Sequence, residues 1–234
     1  MRKDFYIFRH GETDYNREQR IQGCGLDAPL NEVGIAQAEE LAKKLMPLGI
    51  EHIYASNLKR ALQTAQICAG HLGVAVDVIP ELREGCFGEL EGMLKTEVAV
   101  KYAEIHKDWY SPVDDMNVRF PGGESKQEMQ DRMFAVISSL LSSPFQIIGI
   151  ASHGSSIRYL LYKFGLSPHR MPNTALYHVV CEDGNWRFIL KSKAAIQIFF
   201  LMTASGLAIN YSVEAKCCGR QTSSGTRGLS QNAI

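Results

Sequence analysis

The chain has no excess charge of either sign. Lys+Arg and Asp+Glu number 25 each in 234 residues, so the formal net charge is +0. A nucleic acid or a membrane surface would find no global attraction here, and any selectivity for anions has to come from a local cluster of arginines. Metal-binding patterns are also missing. The seven histidines show no ligand spacing. The six cysteines, Cys24, Cys68, Cys86, Cys181, Cys217 and Cys218, form neither a CxxC pair nor a zinc motif. Reduced thiols in a cytosolic protein are the simplest reading, so a cytoplasmic location is expected. Met1-Arg2-Lys3-Asp4 leads straight into an apolar run and leaves no room for the apolar core of a signal peptide. No internal repeat is visible.

What is present is an ordinary globular composition, 45% apolar and 21% charged, in a length suited to one large domain or two small ones. Strand-like runs at 5–8, 52–55, 74–79 and 146–152 alternate with helical patterns at 32–48, 58–71 and 155–164. Asn31 is placed to cap the first of these helices. Ser125-Lys126-Gln127-Glu128 is a capping box that opens another, running to about 141. A weaker helix covers 96–106, and 81–93 and 111–123 read as loops. Two last strands, 175–181 and 186–191, flank Asp183-Gly184-Asn185, a hairpin signal. This alternation predicts a three-layer α/β domain over residues 1–191, with a mostly parallel central sheet and helices on both faces.

Four of the strands end in polar residues. Arg9-His10 follows the first, Ser56 to Arg60 the second, Glu81 to Glu84 the third and His153-Gly154 the fourth. In a parallel sheet these ends share one edge, where α/β proteins bind ligands. Arg60 falls in the first turn of its helix and His153 just before another, and helix N-termini favour anions. A phosphoryl group needs positive charge around its non-bridging oxygens, a nucleophile in line and an acid for the leaving oxygen. Arg9, Arg60 and His153 can supply the charge. His10 can be the nucleophile, since imidazole is neutral over much of the physiological range and neighbouring arginines lower its pKa. Glu84 can supply the proton. Each assignment has a plainer alternative. Arg60 can be an exposed helix arginine, the acid can be Glu81, Glu89 or Glu91, and His52, His71, His106, His169 and His178 read as surface or structural.

The ordered motif set resembles the histidine phosphatase superfamily in its phosphoglycerate-mutase-like branch. The matching residues are Arg9-His10-Gly11-Glu12-Thr13 with Asn16; Ile21-Gln22-Gly23; Pro29 to Gly34 with Gln37-Ala38; Ser56 to Ala61 with Thr64-Ala65; Leu82-Arg83-Glu84 with Phe87-Gly88 and Glu91-Gly92; Pro121 to Ser125; and Ser152-His153-Gly154. The resemblance runs from about residue 4 to 191 and implies the phosphoglycerate-mutase-like fold. It implies that His10 becomes a phosphohistidine, that Arg9, Arg60 and His153 hold the phosphoryl group, and that Glu84 is the general acid and base. Asn16, Gln22 and Gly154 join the substrate-binding set. No metal and no cofactor are implied, and the expected partner is a small phosphorylated metabolite.

The resemblance leaves open whether the enzyme hydrolyses esters or rearranges phosphoglycerate. Mutases of this family usually carry a His-Tyr pair after the glutamate, and here Gly85-Cys86-Phe87 stands. They also carry an arginine pair after a tryptophan in the insertion, where Trp109 is followed by Tyr110-Ser111-Pro112. A metal-independent phosphatase is therefore expected, with a mutase or a non-catalytic phospho-ligand module as alternatives. Lys95, Glu97 and Lys101-Tyr102 point the other way, since they resemble the mutase insertion. Arg83 and Lys95 are candidates for holding a second acidic group. Residues 192–234 form an atypical extension. Its apolar part, 194–209, is 16 residues long, shorter than the roughly 20 needed to span a bilayer. It is expected as an extra helix packed on the domain or an apolar appendage, followed by a flexible tail at 219–234.

Overall fold

The computed structural model describes residues 1–110, 115–166, 168 and 171–189, and the backbone of 198–203 and 206–211. Strand β1 (Arg2–Arg9) shows how the layers arise. Its residues alternate between faces, so Phe5 and Ile7 enter one core while Tyr6 and Phe8 enter the other. Thr13 caps a four-residue helix, α1 (Asp14–Arg17), through a capping box with Asn16 that the hydrophobic pattern alone did not reveal. Asn31 caps α2 (Glu32–Leu45), accepting from the Gly34 N–H at 2.8 Å as expected. Strand β2 (His52–Ala55), helix α3 (Lys59–Leu72) and strand β3 (Val76–Val78) follow.

The expected weak helix at 96–106 is two helices, α4 (Lys95–Lys101) and α5 (Ala103–Tyr110), broken at Tyr102. Ser125 opens α6 (Lys126–Ser139) with the anticipated capping box. Strand β4 (Ile147–Ser152), helix α7 (Gly154–Lys163) and the hairpin β5 (Leu176–Glu182) and β6 (Asn185–Ile189) complete the expected set. The apolar stretch after it is not a helix. It forms β7 (Ile198–Thr203) and β8 (Gly206–Tyr211), which extend the sheet through a bridge between Trp186 and Met202. Ile-Phe-Phe-Leu-Met-Thr is rich in β-formers, and Gly206 disfavours a helix through that point. Residues 111–114, His169, Cys217-Cys218 and the expected tail lie outside the described residues. No helix among the described residues is long and apolar enough to cross a membrane.

The strand order is β3-β2-β4-β1-β5-β6-β7-β8. Strands β3, β2, β4 and β1 run parallel, as expected of the strands that carry the site. Every later pairing is antiparallel, so the sheet as a whole is mixed. Helices α6 and α7 pack on one face over Phe5, Ile7, Ile148 and Ile150. Helices α2 and α3 pack on the other over Tyr6, Phe8, Ile53 and Ala55. A third cluster, Phe87, Leu90, Val98, Trp109, Phe120, Met129 and Tyr159, joins the insertion of α4 and α5 to α6 and α7. Trp109 is its centre, with ring centroids 4.9 Å from Phe120, 5.7 Å from Tyr159 and 5.8 Å from Phe87. The parallel half delivers β1, β2 and β4 to one edge with their C-terminal ends aligned, and the insertion stands over that edge.

Candidate active site

Arg9 and Ser152 are register partners at the ends of β1 and β4, so the residues that follow them, His10 and His153, leave the sheet side by side. Their rings lie 5.1 Å apart, centroid to centroid. The His10 Nδ1 is 2.6 Å from the Gly11 carbonyl oxygen. Since a carbonyl only accepts, the proton sits on Nδ1 and Nε2 keeps its lone pair. Burial, Arg9 and Arg60 all push the His10 pKa well below the ordinary imidazole value, so the ring is neutral near pH 7. The backbone here passes close to another segment. A Cβ on Gly11 would stand 2.4 Å from the Gly34 carbonyl oxygen, which no side chain tolerates.

Arg60 lies in the first turn of α3 and is fully buried, which overturns the reading of it as an exposed helix arginine. Its Nη1 donates to the Leu26 carbonyl at 2.9 Å and its Nη2 to the Gly23 carbonyl at 2.7 Å, while Nε has no partner among the described residues. Arg9 is half-buried, donates to the Met171 carbonyl and keeps a buried Nε with no partner among the described residues; desolvation lowers its pKa to about 10. His153 caps α7 and is fully buried, with Nε2 2.8 Å from the Ser56 Oγ and Nδ1 unpartnered among the described residues. Burial first, then Arg60, depresses its pKa well below the usual value.

Glu84 is held by the start of α7. Its carboxylate accepts from the backbone N–H of Ser155 at 3.1 Å and of Ser156 at 3.0 Å, and from Gly85 at 2.9 Å. The rival glutamates are accounted for otherwise. Glu91 accepts from the backbone of Cys24, Gly25 and Phe87. Glu89 accepts from the Tyr102 hydroxyl at 2.7 Å, and Glu81 is exposed.

One cavity of about 840 Å³ gathers the predicted set: Arg9, His10, Asn16, Gln22, Arg60, Glu84 and Gly154 all line it. His153 is not on its lining; it packs against His10 instead. Gln22 Oε1 is buried there without a partner among the described residues. Asn16 is held by Asn173, whose Nδ2 donates to its Oδ1 at 3.1 Å. Arg83 does not reach the cavity. It pairs with Glu124 at 2.6 Å, and Arg132 joins the same carboxylate at 2.9 Å. Burial raises the Glu124 carboxyl, but the bonds from Arg132, Arg83 and the Cys86 N–H outweigh it and hold its pKa at about 2.

Several lining residues escaped the sequence reading. Arg158, one helical turn beyond Gly154 on α7, lines the cavity with its Nε buried and unpartnered among the described residues. Its only signal was the four-residue spacing from Gly154. Asn173 also lines the cavity and also supports the His10 carbonyl, at 3.1 Å. The expectation of reduced thiols is corrected for one pair: Cys24 and Cys86 form a disulfide with a Cα–Cα distance of 4.7 Å, whereas Cys68 and Cys181 are free and buried. Their separation of 62 residues hid the pairing, because sequence spacing does not report spatial proximity across loops.

A neutral imidazole with a free Nε2, one buried and one half-buried arginine, and a carboxyl group fixed by a helix terminus can transfer a phosphoryl group through a histidine. That fits one class: an α/β enzyme acting on phosphate esters. Residues 5–193 match the family model described as histidine phosphatase superfamily (branch 1). The chain is 35% identical over 188 residues to a Yersinia pestis protein named "Probable phosphoglycerate mutase GpmB", covering 77% of this chain and 86% of that one. Among solved structures it is similar to the native mycobacterial glucosyl-3-phosphoglycerate phosphatase, with TM-score 0.70 and 25% identity over 80% of this chain and 96% of that one. It is also similar to a mutant phosphoserine phosphatase from Entamoeba histolytica solved with phosphoserine, with TM-score 0.67 and 26% identity over 80% and 94%. The chain belongs to the histidine phosphatase superfamily, branch 1.

Proposed function

We propose that the protein hydrolyses phosphate monoesters of small metabolites through a phosphohistidine at His10. The observation that carries this reading is the His10 Nδ1 contact with the Gly11 carbonyl, which leaves Nε2 as a neutral nucleophile in a cavity shared with Arg9, Arg60 and Glu84. Nε2 forms a bond to phosphorus as the ester P–O bond breaks, and the leaving oxygen takes a proton from Glu84, which enters the step as the carboxylic acid and leaves it as the carboxylate. Water then attacks the phosphohistidine while Glu84 takes its proton back. Inorganic phosphate leaves and His10 returns to its neutral state. Arg9, Arg60 and Gln22 hold the non-bridging oxygens, with Asn16 and Gly154 bordering them, and His153 steadies His10 and the phosphate side of the pocket. Residues 1–191 are the catalytic unit, residues 192–234 an extension of it, and the cytoplasm is the compartment where such esters are made.

The cavity favours a substrate with a second acidic group. Lys95 and Arg158 both line it, and the Lys95 ammonium donates to Gln19 Oε1 at 3.2 Å. Burial, Arg9 and Arg158 lower the Lys95 pKa, so a second anion there relieves crowding between cations. Hydrolysis is preferred over rearrangement because Phe87 and Tyr110, which bring no positive charge, line the wall where a mutase of this family would carry further cationic groups. The name of the Yersinia relative and the presence of Lys95 favour the mutase as the second reading.

The test is hydrolysis of an aryl phosphate and a panel of metabolite monoesters, with a chelator present, by native protein and His10→Ala. Turnover lost in the variant is the expected result. An inactive native protein that interconverts phosphoglycerates when primed with bisphosphoglycerate establishes the mutase instead.

A further inference from the structure

The Cys24–Cys86 disulfide joins the two loops that dress the cavity. Cys24 follows Gly23, whose carbonyl is an acceptor for Arg60 Nη2, and Gln22, whose Oε1 is buried unpaired on the cavity lining. Cys86 stands two residues after Glu84 and directly before Phe87, both on the cavity lining. Glu91 also links the loops, through bonds to the backbone of Cys24, Gly25 and Phe87. Gly23 has φ +60 and sits against Glu91, so this loop is held in a conformation few residues adopt. Both cysteines are half-buried rather than sealed, so a small thiol can reach them. Arg83 Nη1 lies 3.2 Å from the Cys86 sulfur, beside which a thiolate would be favoured.

We propose that Cys24 and Cys86 form a redox latch on the phosphate pocket: the disulfide holds the 22–26 loop under Arg60, and its reduction loosens phosphate binding. The step is thiol–disulfide exchange with a small dithiol as reductant. One thiolate of the dithiol attacks a sulfur of the bridge, the S–S bond breaks, and the other cysteine leaves as a thiolate that takes a proton. The second thiol of the dithiol then resolves the mixed disulfide, so the dithiol loses two electrons and both cysteines become thiols. With the bridge open, the Gly23 and Leu26 carbonyls are tethered only by hydrogen bonds. The Arg60 guanidinium then loses its fixed direction, and small displacements of a positioning group are costly in a preorganised site.

The experiment uses full-length protein, oxidised in air or reduced with dithiothreitol that is then removed by anaerobic desalting, because free dithiol would reduce the probe, orthovanadate, added afterwards. Peptide mapping without reductant is expected to find the 24–86 cross-link, and reduction to weaken orthovanadate binding about tenfold. Cys24→Ser, Cys86→Ser and the double variant are expected to bind as the reduced protein does and to ignore dithiothreitol. Free, alkylatable Cys24 and Cys86 in the air-oxidised protein overturn the proposal, as does equal orthovanadate affinity in the two states. The proposal rests on this cavity being the phosphate site. If neither state binds orthovanadate, that reading fails, and hydrogen exchange decides the latch by itself. Faster exchange of the Cys24 and Gly25 amides on reduction upholds the latch, and unchanged exchange overturns it.

Discussion

The Glu84 carboxylate accepts the backbone N–H of Ser156 at 3.0 Å, and this bond fastens the acid to the helix that His153 caps. Glu84 and His153 are therefore anchored at the same helix start. Glu84→Gln keeps the shape and an acceptor oxygen but removes the transferable proton. We expect kcat to fall about 10²- to 10⁴-fold on alkyl phosphates, whose leaving oxygen needs the proton, and far less on an aryl phosphate with an acidic leaving group. An equal loss on both substrates would show that Glu84 does not protonate the leaving group.

His10 and His153 are both buried neutral with depressed pKa values. In the unfolded chain they bind protons as pH falls below about 6.5, while in the folded protein they do not. The unfolded state then holds more protons, so stability is fully present above about pH 6.5 and declines as pH drops toward the folded values. Each imidazole accounts for up to about 1.4 kcal/mol per pH unit in that window. Calorimetric stability of native protein relative to His153→Asn should therefore fall between about pH 7 and pH 5. A constant difference across that range would refute burial of neutral His153.

Much of this site was legible because its residues sit at strand ends, where an apolar run stops at a charged or polar group. Arg9 ends β1, His10 follows it, and His153 and Gly154 follow β4, so register pairing of Arg9 with Ser152 makes their convergence unavoidable. The sheet ladders and the caps by Asn31 and Ser125 follow local rules of the same kind. What depended on contacts between distant loops was not legible. The Cys24–Cys86 bridge, the diversion of Arg83 to Glu124 and the support of Asn16 by Asn173 each join segments with no common periodicity. The β7–β8 hairpin was missed for a different reason. A short apolar run fits a buried helix and a strand equally well, and its pairing with β6 decided between them.

Arg158 is the residue whose removal should separate substrate classes. Its Nε is buried without a partner among the described residues beside the cavity, and Lys95 is another cation on that lining. Arg158→Met keeps most of the stem and removes the charge. For a phosphate monoester that also carries a carboxylate, KM should rise about 10- to 100-fold, the worth of one hydrogen bond to a charged group. For an uncharged aryl phosphate it should change little. Parallel loss on both substrates would place Arg158 with the phosphate itself rather than with a second acidic group.

Gly11 offers a test of the scaffold beneath the nucleophile. Its N–H donates to Thr64 Oγ1 at 3.1 Å, and Thr64 in turn donates to the Arg60 carbonyl at 2.7 Å, so the backbone after His10 is tied to the helix that carries Arg60. A methyl group at position 11 would stand 2.4 Å from the Gly34 carbonyl oxygen and 3.0 Å from two more backbone atoms of Gly34. Backbone cannot move aside as a flexible side chain can, so either α2 shifts at its first turn or the 10–12 segment lifts. The second alternative breaks the Gly11–Thr64 bond. Gly11→Ala is therefore expected to lose about 1–3 kcal/mol of stability in denaturant unfolding, the usual range for overpacking. It should also lose activity at temperatures where it remains folded, because the His10 carbonyl and the Gly11 carbonyl that fixes its tautomer both lie in the displaced segment. A variant with native stability and native kcat would mean that the 11–34 contact is slack and does not position His10.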